Sequence, residues 1–247
     1  MDLNEFGKLN LLSKRDNDGL FAKGSAVKLR LHPSIENLVP YKPGKPIGET
    51  QREFGLSKVV KLASNENPLG LSKMVQQALI SAIPEMHRYP DPTCYDLLQT
   101  VSEAWRVETD RISFSNGSDE FLDHLMNILC EAGEKVLTSE TAFVAYEVAA
   151  NSHRLGVVKT PVGPDYRFDL DRMLAAAKAD TSIRMVFIAN PNNPTGTYLG
   201  ASGLRKFLEA TAALPNVFVV VDEAYNEFVR AEDFESVIPW TLEFEHL

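Results

Sequence analysis

The sequence predicts an α/β fold: a doubly wound, mostly parallel sheet with helices on both faces, preceded by an extended N-terminal arm. Two observations lead there. Short apolar runs rich in β-branched and aromatic residues recur from Arg111 onward: RISFS, KVLTS, RLGVVKT, RMVFIAN and VFVVVDE. Helical segments separate them: SDEFLDHLMNILC, AFVAYEVAANS, DLDRMLAAAKA and SGLRKFLEATAAL. Strands that alternate with helices at this spacing call for parallel pairing through right-handed crossovers.

Taken in order, residues 1–60 are polar and interrupted by Pro33, Pro40, Pro43 and Pro46 with Gly44 and Gly48, which reads as an extended arm. About the first 25 residues are the candidate disordered stretch. From Leu71 the pattern turns helical. LSKMVQQALISAI places Leu71, Val75, Leu79 and Ile83 on one face, and CYDLLQTVSEAW reads as a second amphipathic helix. The two bracket the loop HRYPDPT, after which the strand and helix alternation begins.

Composition sets bounds on function. With 247 residues, 44% apolar and 24% charged, the chain can bury a sizeable core. The net charge of −9 comes from interspersed Asp and Glu, and no basic stripe tracks a nucleic-acid backbone, so nucleic acid is not an expected partner. Cys94 and Cys130 are isolated, without metal-ligand spacing, which fits buried small residues in a reducing compartment. No stretch approaches the ~18 apolar residues of a membrane span, and the N-terminus lacks an apolar signal core, so the expected location is cytoplasmic.

In open sheets of this kind ligands sit beyond the carboxyl ends of the strands, so the residues that follow each strand carry the functional expectation. After RISFS comes NGSDE, in which Gly117 permits close backbone approach while Ser118 and Asp119 open a helix whose free amides suit a phosphate. Ordinary helix capping uses the same residue types. After KVLTS, Phe143 stands at a strand-to-helix junction where a ring could stack on a planar ligand, or serve as core. After RMVFIAN, PNNPTG is a loop stiffened by two prolines that presents Asn193 with little entropy left to lose. At the end of VFVVV, Asp222 is followed three residues later by Tyr225. A carboxylate beside a pyridine nitrogen keeps that nitrogen protonated, and a phenol or amide can hold the ring's oxygen. A nucleotide-hydrolase strand has the same apolar-run-then-DE pattern, but its GxxxxGK[ST] loop is absent.

These residues carry a resemblance. LASNENPLG (Leu62 to Gly70), RYPDP (Arg88 to Pro92), NGSDE, PNNPTG and VVDEAY, in this order, resemble the fold-type I pyridoxal-phosphate-dependent aminotransferases, and within them the histidinol-phosphate aminotransferases. IENLVPYKPGKP, ahead of NENP, is similar to the arm of that family. The resemblance implies pyridoxal 5′-phosphate as cofactor, an arm and the start of a small domain over residues 1–60, and a cofactor-binding large domain over 61–247. It implies that Asp222 pairs with the pyridinium nitrogen, that Tyr225 and Asn193 hold the ring's O3′, that the Gly117, Ser118 and Asp119 segment binds the phosphate, and that Phe143 stacks on the ring. Tyr89 would reach the cofactor phosphate of a neighbouring subunit in a homodimer. Asn65, Glu66 and Asn67 would lie at the mouth of the site. The implied reaction is transamination between an amino donor and a 2-oxo acid, with histidinol phosphate and 2-oxoglutarate as the leading pair.

One departure stands out. The family's Schiff-base lysine closes the strand that follows the aspartate, and no lysine occurs between Glu223 and Leu247. Lys159, Lys178 and Lys206 belong to other elements and are not expected to replace it. The expectation is a chain that stops before that lysine and the rest of the small domain, inactive or nearly so alone, with exposed sheet edges that favour aggregation. Within the same fold a threonine-phosphate decarboxylase or an aromatic aminotransferase shares these motifs. A non-catalytic cofactor-binding protein is the alternative from another class.

Overall fold

The computed structural model describes residues 32–36, 38 and 44–247. Mostly apolar runs need partners to bury them, and four of them pair as one parallel sheet. They are β1 (Lys135–Ser139), β2 (Gly156–Thr160), β3 (Ile183–Ala189) and β4 (Phe218–Asp222), in the order β2-β1-β3-β4. From Met185 to Ile188 every side chain of β3 is fully buried. Successive strand residues point to opposite faces, so both faces of the sheet are covered.

The covering helices are α5 (Ser118–Leu129), α6 (Ala145–Ser152), α7 (Leu170–Ala179) and α8 (Ala201–Thr211), with α5 packed on α6 and α7 on α8. Each buries an apolar stripe at helical spacing: Leu122 and Met126 of α5, Tyr146 and Ala150 of α6, Met173 and Ala177 of α7, Leu204 and Leu208 of α8. The chain moves outward from β1 to β2, then returns to the other side of β1 for β3 and β4. This reversal puts a crevice at the carboxyl ends of β1 and β3, as a doubly wound sheet requires.

Two expectations need correction. RISFS does not form a strand: Arg111 ends a 3₁₀ turn and residues 112–115 are unpaired. Ile112 has extended dihedrals, but a run becomes a strand only through a neighbour's hydrogen bonds, and no described strand lies beside it. The arm is also not wholly extended. After α1 (Pro33–Glu36), α2 (Ile47–Phe54) starts behind Pro46 and stops at Gly55, whose φ of 63° closes the helix with a bond from its N–H to Gln51 O. The expectation for the first residues of the arm lies outside the described residues. Helices α3 (Lys73–Ala82) and α4 (Tyr95–Trp105) form as expected but bury no residue, leaving Met74, Ile80 and Trp105 exposed. Among the described residues no helix is long and apolar enough to cross a membrane, no His, Cys, Asp and Glu group could hold a metal ion, and both cysteines are free thiols.

The last residues run along β4. Val219 N–H donates to His246 O at 2.7 Å, Trp240 is buried, and Arg205 of α8 lies over the Trp240 ring while pairing with Glu243 at 2.7 Å. Glu223 fastens the start of this segment, accepting from the Ser236 hydroxyl and from Val237 N–H, both at 2.6 Å.

At the amino end of the sheet Lys135 donates to Asp180 at 2.7 Å, and Asp180 also accepts from Ser182. The Lys135 hydrogen bond, then those of Ser182, hold the Asp180 carboxyl down at about 2. A depressed folded value means stability that is present above the ordinary carboxylate range and lost as pH falls through the folded value. Melting temperatures measured by circular dichroism should therefore drop between about pH 4 and pH 2. Asp180→Asn should be less stable at pH 7 and lose part of that dependence; an identical pH profile for the variant would remove the pair from the account.

Candidate functional site

The crevice predicted by the strand order is a cleft of about 290 Å³ lined by Asn116, Gly117, Ser118, Asp119, Phe143 and Ala189 together with Pro191, Asn193, Asp222, Ala224 and Tyr225. It therefore gathers the predicted residues from four separate connections. Tyr89 is the exception: it is fully exposed and absent from the lining. Its loop is ordered around Asp91, which accepts from Thr93 N–H at 2.9 Å and from Tyr95 N–H at 3.0 Å and is held below the usual carboxylate range, chiefly by the Tyr95 amide.

Asp222 closes β4 with both carboxylate oxygens engaged. Oδ1 accepts from Ala224 N–H at 3.0 Å, and Oδ2 accepts from the Tyr146 hydroxyl at 2.7 Å. A carboxylate has roughly four acceptor positions, so it keeps capacity for a donor in the cleft. Tyr146 was not singled out as a site residue by sequence. Its spacing with Ala150 reads as the buried stripe of an amphipathic helix, and nothing local reveals a partner on another strand.

The PNNPTG loop owes its shape to two other asparagines. Asn190, fully buried, accepts from Leu199 N–H at 2.7 Å through its side chain, and its own N–H donates to Asp222 O at 2.9 Å. Asn192, 4% exposed, donates from its side-chain amide to Thr141 O at 3.1 Å and to Thr195 Oγ1 at 2.7 Å, while its backbone bonds to Thr197 and Gly196. With these neighbours turned inward, the half-buried Asn193 is left on the cleft wall.

Tyr225 leaves the strand end by a turn, and its hydroxyl oxygen accepts from Asn65 Nδ2 at 2.9 Å. The phenolic proton stays free to donate. This contact separates the three NENP candidates. Asn65 reaches the site, Glu66 pairs with Lys61, and Asn67 accepts from Leu69 N–H at 3.0 Å in a local turn. Asn65, Tyr225 and Asn193 also line a second hollow of about 390 Å³ that continues past Tyr198, Phe228 and Arg230.

On the opposite wall Gly117, with φ 80° and ψ 174°, stands just before α5, and no side chain caps the first amides of the helix. Glu120 instead reaches back to Asn116, accepting from its backbone N–H at 2.5 Å and its side-chain amide at 3.0 Å. The Asn116 backbone bond, the largest cause, holds Glu120 below the usual carboxylate range. A twelve-residue helix thus points an uncapped, positive N-terminus into the cleft, which fits an anion. Phe143 meets Tyr146 edge-on at 6.0 Å and lines the cleft. The arrangement can hold a planar ring by a protonated nitrogen at Asp222, by an oxygen at Tyr225 and Asn193, and by a phosphate at α5. No lysine is among the lining residues.

Comparison with known proteins agrees with this fold. The profile of the family described as "Aminotransferase class I and II" matches residues 57–245. A histidinol-phosphate aminotransferase of Bdellovibrio bacteriovorus is 47% identical over 89% of this chain and 59% of its own length. Histidinol-phosphate aminotransferase 2 of Methylococcus capsulatus is 43% identical over 87% of this chain and 58% of its own. The crystal structure of histidinol-phosphate aminotransferase from Sinorhizobium meliloti in complex with pyridoxal-5′-phosphate aligns with a TM-score of 0.74 at 28% identity, over 86% of this chain and 55% of that one. The chain thus spans somewhat over half the length of the curated relatives it matches.

Gly117 offers a test that needs no ligand. Its dihedrals lie in a region essentially confined to glycine, and an added Cβ would meet nothing within 4 Å, so the cost of Gly117→Ala is backbone strain alone. That strain should destabilise by about 1–3 kcal/mol in urea denaturation. Gly203→Ala, in α8 with open space around it and no positive φ, should instead stabilise by about 0.5–1 kcal/mol. Equal effects from the two variants would contradict this reading of the α5 start.

Proposed function

Because the chain belongs to the class I and II aminotransferase family, we propose that its cleft binds pyridoxal 5′-phosphate and is the cofactor half of a transamination site. The amino donor of the whole protein is then an amino acid or amino alcohol phosphate. Histidinol phosphate with 2-oxoglutarate as acceptor is the leading pair, supported by the names of the relatives at 43–47% identity. The proposal extends to a cytoplasmic homodimer, an arm over residues 1–60 and a cofactor domain over 61–247.

One observation carries the reading. A carboxylate, a phenol paired with an amide, and an uncapped helix N-terminus converge on a single cleft. When bound, pyridoxal phosphate supplies an electron sink for charge that develops at the substrate's α-carbon. Asp222 would hold the proton on the ring nitrogen, since an opposite charge at close range favours the charged form. Tyr225, its oxygen already anchored by Asn65, would donate its phenolic proton toward the ring's O3′ oxygen, with Asn193 as second donor. The Gly117, Ser118 and Asp119 amides would bind the phosphate, and Phe143 would cover one ring face and keep water from it. Tyr89, fully exposed on its own chain, would reach the phosphate site of a second copy.

The lysine-free lining favours a second reading for this polypeptide taken alone: cofactor binding without turnover. Lys159 is engaged with Glu147 at 2.6 Å, and Lys206 lines a different hollow, beside α7. A fluorescence titration with pyridoxal phosphate should show saturable binding that Asp222→Ala weakens at least about tenfold, the effect expected for a hydrogen bond to a charged group. Borohydride reduction and peptide mapping should yield no stoichiometric lysine adduct, and histidinol phosphate with 2-oxoglutarate should give no turnover. Equal binding by the variant would sink the cofactor assignment. A single stoichiometric lysine adduct accompanied by turnover would sink the lysine-free reading.

A further inference from the structure

We propose that Tyr146 is the positioning residue of this site: its buried hydroxyl fixes the orientation of the Asp222 carboxylate, and its ring sets Phe143 at the edge of the same cleft. The inference rests on the cofactor reading above and adds to it a residue that makes no contact with the cleft.

The hydroxyl is hard to explain as packing. Tyr146 has no exposed surface, and its ring lies on Phe187 of β3 at 5.0 Å with 13° between planes. A phenylalanine would fill that space and stack equally well without a polar atom to satisfy. Among the described residues the only hydrogen-bond partner of the hydroxyl is Asp222 Oδ2, at 2.7 Å. Burial first, then the Asp222 charge, push the phenol well above the ordinary tyrosine range, so it stays a donor and Asp222 stays the acceptor.

The geometry extends to a second group. Asp222 is held at Oδ1 by Ala224 N–H and at Oδ2 by Tyr146, so rotation of the carboxylate would break both bonds. The Tyr146 ring meets Phe143 edge-on at 6.0 Å and 88°. One side chain of α6, clamped against β3, thereby positions the end of β4 and the aromatic residue at the start of its own helix.

Tyr146→Phe in the full 247-residue chain isolates the hydroxyl. In the cofactor-free protein the wild-type chain should show a slowly exchanging, downfield hydroxyl proton by NMR, lost in Tyr146→Phe and displaced in Asp222→Asn. The Ala224 amide should exchange about tenfold faster in Tyr146→Phe. Absence of the hydroxyl resonance from the wild-type protein, or unchanged Ala224 exchange, would overturn the proposal even if the variant folds poorly, since the first reading needs no variant. With ¹⁵N-labelled pyridoxal phosphate added, the pH at which the ring nitrogen loses its proton should move by about one unit in Tyr146→Phe, with about tenfold weaker binding. An unchanged midpoint would overturn it. Failure of the wild-type chain to bind pyridoxal phosphate would remove the cofactor assignment instead, leaving the hydroxyl and amide signals to decide on Tyr146.

Discussion

Burial of β3 on both faces is the constraint on which the rest of the structure depends. From Met185 to Ile188 no side chain is solvent-accessible, so no polar group can enter the strand without losing its hydrogen bonds to water. Chemistry is displaced to the first residue past the strand. That residue is Asn190, itself fully buried, and its backbone and side chain are both paired. Because all four strands run the same way, the residues that follow them gather at the carboxyl end of the sheet, and the reversal between β1 and β3 opens the cleft there.

At that edge the residues divide into those that face the cleft and those that hold them. Asp222, Tyr225, Asn193 and the α5 amides line it. Behind them stand Tyr146 on Asp222, Asn65 on Tyr225, Asn190 and Asn192 under Asn193, and Glu120 across the turn before α5. Tyr146 and Asn65 bond directly to groups that a ligand would meet, while Asn190, Asn192 and Glu120 hold the backbone turns that carry the others. Preorganisation of this kind lowers the ordering cost at the moment of binding.

The sheet was legible because parallel strands buried on both faces read as apolar runs, most clearly MVFIA within RMVFIAN and VFVVV. RISFS alternates apolar and polar residues as a strand with one buried face does, yet it stays unpaired, since such a pattern reports readiness to pair and says nothing of a neighbour. IGETQREF was hidden among prolines and glycines that read as breakers, although Pro46 and Gly55 act as its start and stop. The cleft-facing residues were legible because they follow strands in short, unusual strings. Their supports were not. Tyr146 is separated from Asp222 by 76 residues and sits at a helical position that any core aromatic could occupy, and Asn65 could not be told from Asn67 without the contact to Tyr225.

The proposed binding of pyridoxal phosphate in this cleft rests on residues that follow β1, β3 and β4 and on the start of α5. A crystal structure of the 247-residue chain grown with pyridoxal phosphate tests it most directly. The expected result is a ring in the cleft with its nitrogen within hydrogen-bond distance of Asp222, its O3′ oxygen at Tyr225 and Asn193, its phosphate on the Gly117, Ser118 and Asp119 amides, and no covalent bond to a lysine. A cofactor bound elsewhere, or seated in the cleft with its phosphate at Asp222 and its ring at α5, would contradict it.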